Sequence, residues 1–310
     1  MDQPSHLTRR RILSGAALAG VAPLAQAHVD GRSQPQLLRR PFKPADGGQE
    51  RDYFLYVPTG FHTEAGREWP VMLFLHGGGE RGNAKDELDH TLAHGPVMEA
   101  WIQGRDLPFL IIQPQLPAGN RPNTLDPARV PRRVTDGPPP ERNYGRRSET
   151  PMARVETGEL PDWAARSARD PDRALIEKDL LTMIYETIAD FRGDADRVYC
   201  TGLSFGGFGT WHIAQNHPER FAAVAPICGA GDPSKMQPIV DAKLPIWIHQ
   251  GGRDPTVSAE SVLASAKALE AAGHPEVRFT VHEDLAHNVW TRVYEGDDLY
   301  NWLLRNRRKA

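Results

Sequence analysis

Gly202-Leu203-Ser204-Phe205-Gly206 places a serine between two glycines, straight after the apolar run 197–201 and before the small residues Gly207, Gly209 and Thr210. A strand that turns sharply into a helix at such a serine forms a nucleophile elbow, holding the hydroxyl clear of the backbone. Glycines flank it because a side chain there would strike the neighbouring strand or helix, and because glycine tolerates unusual dihedrals. A glycine-rich turn carrying an ordinary exposed serine fits the same five residues. A base, an acid and an oxyanion hole in the right order separate the two.

A serine nucleophile needs a histidine to take its proton and an acid to orient that histidine. On a sheet built around an elbow, acid and base follow the serine in that order, each in a loop beyond a strand's C-terminal end. Run 245–249 leads into Gln250-Gly251-Gly252-Arg253-Asp254-Pro255, and run 277–282 leads into Glu283-Asp284-Leu285-Ala286-His287. Asp254 and His287 therefore stand where the geometry needs an acid and a base. Asp254 before Pro255 is also an ordinary turn sequence. Among other histidines, His249 and His282 fall inside strand-like runs. His274 occupies a Gly-His-Pro turn at the opposite edge, and His212 and His217 belong to the helix behind the elbow.

An oxyanion hole needs backbone N–H donors aimed where negative charge develops. The amide of Phe205 supplies one. The loop after run 71–75 reads His76-Gly77-Gly78-Gly79-Glu80-Arg81-Gly82, and Gly78 is the expected second donor. Gly77, Gly79 and Gly82 also spell the G-x-G-x-x-G of a dinucleotide site, but that site needs an acid at the end of the next strand. Gln113-Pro114-Gln115 offers none. His282-Glu283 with His287 misses H-E-x-x-H by one residue and on a strand rather than a helix, and no other spacing suits a metal. No cofactor and no metal are expected.

The elements that must position these residues follow from periodicity. Strand-like runs cover 53–57, 71–75, 109–113, 197–201, 222–227, 245–249 and 277–282. The clearest helical period lies at 172–191, with Leu175, Ile176, Leu180, Met183, Ile184, Ile188 and Phe191 on one face. Asp170 suits its cap, Pro171 its first turn, and Gly193 its end. Further helices are expected from the elbow to His217-Pro218, at 258–272 stopped by Gly273, and at 297–306. Strands alternating with helices, and apolar on both faces, imply an α/β fold whose central sheet is mostly parallel and covered on each side.

One stretch breaks the alternation. Residues 118–171 hold nine prolines, ten arginines and eight acidic residues, with almost no apolar period. So long an irregular connection is either functional or a solvated insertion. It follows the strand at 109–113, whose C-terminal end belongs to the ligand-binding edge of an open α/β sheet, so a lid or substrate flap is one reading. Arg132, Arg133, Arg146 and Arg147 would attract anionic substrates, although interleaved acids suit a self-paired loop equally. Trp163, Trp211 and Trp290 could stack on sugars or aromatic acyl groups, or simply pack in the core.

The chain has 310 residues, enough for one large domain. Its net charge of −3 carries no basic stripe of the kind nucleic acids demand. Arg9-Arg10-Arg11, the apolar run from Ile12 to Leu24 and the small-x-small site Ala25-Gln26-Ala27 read as a twin-arginine export signal over 1–27. A run this short does not span a bilayer, which takes about 20 apolar residues. Removing it leaves 34 basic and 39 acidic residues, a net charge of −5. The expected organisation is signal peptide 1–27, lead-in 28–50 and one domain over 51–310, periplasmic or secreted, without a membrane anchor. In that oxidising compartment Cys200 and Cys228, both in apolar runs, are expected as free buried thiols. The sequence does not disclose the oligomeric state.

Several segments together resemble the α/β-hydrolase superfamily. They are His76–Gly82, Gly202–Trp211, Pro226-Ile227-Cys228-Gly229, His249–Val257 and Ala286-His287-Asn288-Val289-Trp290. Within it the chain is most similar to bacterial carboxylesterase-like, dienelactone-hydrolase-like and "predicted peptidase" proteins, relatives of feruloyl and acetylxylan esterases. The resemblance covers about 51–117 and 163–306. It implies an α/β-hydrolase fold, here interrupted by the long irregular insertion, and Ser204, Asp254 and His287 as a triad. It further implies hydrolysis of a small-molecule or polysaccharide-linked ester. A peptidase or amidase using the same triad is the alternative, and a non-catalytic binding protein on this scaffold a remoter one. The insertion departs from the family pattern.

Overall fold

In the computed structural model, residues 33–118, 125–145, 147–156, 162 and 172–308 are described. The export signal at 1–27, Arg146, Trp163, Asp170 and Pro171 lie outside them. Eight strands form one sheet: β1 (Gln36–Phe42), β2 (Arg51–Val57), β3 (Trp69–Leu75), β4 (Leu110–Pro114), β5 (Gly193–Leu203), β6 (Ala223–Ile227), β7 (Ile246–Gly251) and β8 (Val277–His282). Their spatial order is β1-β2-β4-β3-β5-β6-β7-β8. The pairs β1–β2 and β2–β4 are antiparallel, and every other pair is parallel.

The continuous apolar runs of the central strands reflect burial on both faces. Alternate residues point to opposite sides, so Val71, Leu73 and Leu75 enter one core while Met72 and Phe74 enter the other. The first core is covered by α1 (Asp172–Asp190), α2 (Phe205–Asn216) and α4 (Ala259–Ala271), through Met183, Ile184, Trp211, Ile213, Val262 and Leu269. A short α3 (Gln237–Asp241) adds Ile239. The second core is closed by Leu88, Leu92 and Val97 with α5 (Trp290–Glu295) and α6 (Asp298–Arg305), the latter through Leu299, Tyr300 and Leu303. No helix among the described residues is long and apolar enough to cross a membrane.

Three differences from the sequence-based expectation have physical causes. Strand β1 falls within the expected lead-in 28–50: it is a half-buried edge strand with two arginines and Pro41, so it shows no clean alternation. Proline is tolerated there because an edge strand need not donate on its outer side. Gly193 does not stop α1; Arg192 takes the left-handed backbone with φ 51°, and Gly193 opens β5. A side chain at Gly193 would press on Ile188 and Val71. Helix α5 is too short to carry a period. By contrast, Gly273 ends α4 with φ 88°, and the Ser258 hydroxyl accepts from the Ser261 N–H at its start.

Candidate active site

Ser204 sits at the exit of β5 with φ 51° and ψ −117°, a combination that L-residues rarely adopt. Its N–H donates to Ile227 O (2.8 Å) and its carbonyl accepts from Phe208 N–H (3.1 Å), so neighbouring elements hold the strained residue from both sides. The glycines around it serve close approach. A Cβ on Gly202 or Gly206 would run into the Leu75 carbonyl, and one on Gly207 into that of Ile227. Helix α2 can therefore start directly over the ends of β3 and β6.

Asp254 lies beyond β7 and His287 beyond β8. The His287 Nδ1–H donates to Asp254 Oδ2 (2.7 Å), and His287 Nε2 lies 2.8 Å from Ser204 Oγ. With Nδ1 as donor, Nε2 is left to accept the serine proton. The Asp254 side chain is fully buried. Its Oδ1 accepts the amides of Thr256 (2.8 Å) and Val257 (2.9 Å), while Gln250 Nε2 donates to Oδ2 (3.2 Å). Four donors thus hold the carboxylate in one orientation. Sequence reasoning did not find Gln250, although its place at the end of β7, four residues before Asp254, was the signal available.

The glycine loop after β3 closes the other side. A Cβ built on Gly78 would lie 3.8 Å from the Cβ of Phe205, so the two expected oxyanion donors belong to adjoining residues. His76 anchors this loop: its Nδ1–H donates to Gly77 O (2.6 Å) and its Nε2 accepts the Leu116 N–H beyond β4 (2.8 Å). Burial lowers the His76 pKa to about 4, which keeps the ring neutral for that pair of bonds. Glu80 is buried under Gly77, and burial pushes its carboxyl up to about 7.

The other histidines weighed from the sequence take structural partners. His274 bonds Leu244 O (3.0 Å), and His212 and His217 each lie 2.7 Å from Glu177. His249 is buried against His282, and burial holds both well towards the neutral form, His282 at about 4. Trp211 is core, its indole N–H on Gly229 O (2.9 Å). Trp290 instead packs edge-on against His287, with ring centroids 5.1 Å apart.

Cys200 and Cys228 are free and buried. Cys228 takes a left-handed φ of 49° at the exit of β6, and its S–H donates to His287 O (3.3 Å). Burial, and then the neighbouring Asp254 charge, push its thiol well above the ordinary range. Cys228, Asp254 and His287 are the one grouping of metal-ligating types among the described residues. A thiol held protonated and an imidazole already bonded to the carboxylate suit a metal poorly.

The described part of the insertion lines this edge as coil with one 3-10 turn, Pro127–Arg129. Arg142 grips Glu99 with two bonds (2.9 and 2.7 Å), and Asn143 O accepts from Thr291 Oγ1 (3.0 Å) and Asn288 Nδ2 (3.4 Å). Gly145 lies so close to Asn288, the residue after His287, that a side chain there would overlap it. Arg133 stacks on Trp101 (3.9 Å) and Arg147 on Tyr144 (5.1 Å). A shallow cleft lined largely by apolar groups, among them Leu75, Leu116, Met183 and Ile213, borders Phe205 and Gly206.

Residues 164–299 match the model of the "Dienelactone hydrolase family". The matched stretch contains Ser204, Asp254 and His287. A "Putative carboxymethylenebutenolidase" of Salmonella typhimurium is 34% identical over 102 residues, 31% of this chain and 37% of that protein. The chain thus spans little more than a third of the curated relatives it matches. A solved "Thermostable Esterase" is 29% identical with a TM-score of 0.60, covering 88% of this chain and 63% of that one. A "ferulic acid esterase" at 17% identity has a TM-score of 0.54 over 88% of this chain and 99% of its own, a likeness of fold. The sheet is that of the α/β hydrolases, mostly parallel with helices on both faces.

Proposed function

We propose that this protein is a serine hydrolase of carboxylic esters. The observation that carries the reading is the continuous chain from Ser204 Oγ to His287 Nε2 (2.8 Å) and from His287 Nδ1 to Asp254 Oδ2 (2.7 Å). His287 takes the proton as Ser204 attacks the ester carbonyl, and Asp254 stabilises the imidazolium that forms. The amides of Phe205 and Gly78 receive the developing oxyanion. His287 then returns the proton to the departing alcohol, leaving an acyl-serine. Water, deprotonated by the same histidine, releases the acid and restores the serine.

The fold shared with a ferulic acid esterase favours aromatic or other apolar acyl esters, including those carried on plant polysaccharides. Arg9-Arg10-Arg11 with Ala25-Gln26-Ala27 supports action in the periplasm or outside the cell. Wild-type protein should release a burst of p-nitrophenol from p-nitrophenyl acetate, and Ser204→Ala should not. A panel of acetyl, feruloyl, longer acyl and methyl-glucuronoyl esters, with a peptide anilide beside them, then ranks the bond and the acyl group. Equal turnover by Ser204→Ala, or a preference for the anilide, would overturn the reading.

A further inference from the structure

The loop that carries Gly78 also carries Arg81, a charged residue for which the triad has no use. Its Nε–H donates to Gly78 O (2.9 Å), and its guanidinium lies over the Phe205 ring, 5.3 Å from the centroid. A Cβ on Gly78 would come within 3.7 Å of Arg81 Nη2, so the cation lies directly against the loop backbone. One side chain therefore touches both residues whose amides are assigned to the oxyanion.

The backbone beneath Arg81 is fixed. Arg81 closes the short 3-10 turn Gly78–Glu80. The next residue, Gly82, donates to Leu116 O (3.1 Å) and accepts from Ala118 N–H (3.3 Å), tying the loop to the exit of β4. On the other side, His76 binds the same exit through Leu116 N–H. Between these two anchors the glycines have no side chains of their own to hold them. Three successive glycines cost the loop most in conformational freedom, and Arg81 is the side chain that fastens the middle one.

We propose that Arg81 is a positioning residue for ester hydrolysis, clamping Gly78 to Phe205 so that both amides point at one oxyanion. This rests on the serine esterase reading. The planar guanidinium does two things at once that an ammonium cannot: it donates from Nε in a fixed direction and stacks on an aromatic face. Its positive charge also favours the oxyanion over the neutral ester, an effect confined to the transition state. Loss of Arg81 should thus lower kcat and leave KM nearly untouched.

The test compares wild type, Arg81→Met, Arg81→Lys and Ser204→Ala as full chains, with p-nitrophenyl acetate as substrate and a fluorophosphonate as probe of Ser204. Removing one oxyanion donor outright costs about 10²–10³ in turnover, so misplacing one should cost about 10- to 100-fold. The expected result is that fall in kcat and in the phosphonylation rate for Arg81→Met, with KM within about twofold and the melting temperature close to wild type. Arg81→Lys should recover part of the loss. A wild-type kcat in Arg81→Met overturns the proposal, as does a loss expressed in KM or matched by a collapse in melting temperature that Arg81→Lys fully repairs. If Arg81→Met does not fold, Arg81→Lys decides alone: wild-type kcat and labelling in it overturn the proposal. Wild-type protein with neither Ser204-dependent turnover nor labelling would sink the esterase reading, and the clamp with it.

Discussion

Arg142 leaves the proline- and arginine-rich insertion to bind Glu99, a carboxylate with no exposed side-chain surface, through Nε at 2.9 Å and Nη2 at 2.7 Å. Arg105 adds a longer contact to the same carboxylate at 3.4 Å. A charge so buried is tolerated because it is paired. The insertion is thereby bolted to the segment before β4, and Asn143 beside it meets Asn288 and Thr291.

Arg142→Met should therefore destabilise the protein by about 2–4 kcal/mol, since it leaves Glu99 buried with one weak partner. Urea unfolding measures the change. Arg142→Met combined with Glu99→Gln should restore part of the loss, because the stranded charge is gone. Equal stability of wild type and the single variant would mean that the insertion is not anchored there.

Asp254→Asn tests the orienting acid. The amides of Thr256 and Val257 can still hold one side-chain oxygen, so the fold should persist with little change in melting temperature. His287 loses the acceptor that fixes its tautomer, and kcat should fall by about 10³–10⁴. Steady-state kinetics beside circular dichroism separates this from misfolding. Retention of a tenth of wild-type activity would contradict the assigned role.

Glu80 makes stability depend on pH in an unusual direction. Its folded-state pKa of about 7 lies above the ordinary carboxyl value of 4.5, because burial favours the neutral form. Between those two values the folded protein holds the proton more tightly than the unfolded chain, so this group's contribution falls as pH rises from about 4.5 to 7. The cost, fully expressed above pH 7, is on the order of 3 kcal/mol at most. Glu80→Gln should gain stability relative to wild type at pH 8 and show little difference at pH 4.5. Chemical unfolding of both proteins at the two pH values is the measurement, and a parallel pH dependence would refute it.

The two thiols offer a simpler check. Burial pushes the Cys200 thiol up to about 12 and Cys228 well above the ordinary range, so neither forms thiolate near neutrality. Native protein should react with Ellman's reagent hardly at all. Denatured, unreduced protein should release two equivalents, and none would mean a disulfide.

What could be read from the chain was local. The elbow around Ser204, the helix at 172–191 and the strand-then-loop placement of Asp254 and His287 are patterns over a few residues. Local chemistry dictates them: glycine where backbones touch, apolar runs where both sheet faces are covered. Edge strand β1 escaped because half-burial leaves no alternation to detect. Gly193 misled because a glycine after a helix reads as its stop, whereas the left-handed residue is Arg192 and Gly193 serves a tight packing contact.

By itself the sequence determined the fold class and the order serine, acid, histidine. It could not determine that Ser204, Asp254 and His287 meet within hydrogen-bond reach, which follows from the order in which β5, β6, β7 and β8 lie in the sheet. Nor could it show that Gln250 braces the acid, that Arg81 spans Gly78 and Phe205, or that Arg142 buries its charge against Glu99. Each of these joins side chains across a packed interface, and a hydrogen bond depends on distance and direction in space rather than on spacing along the chain.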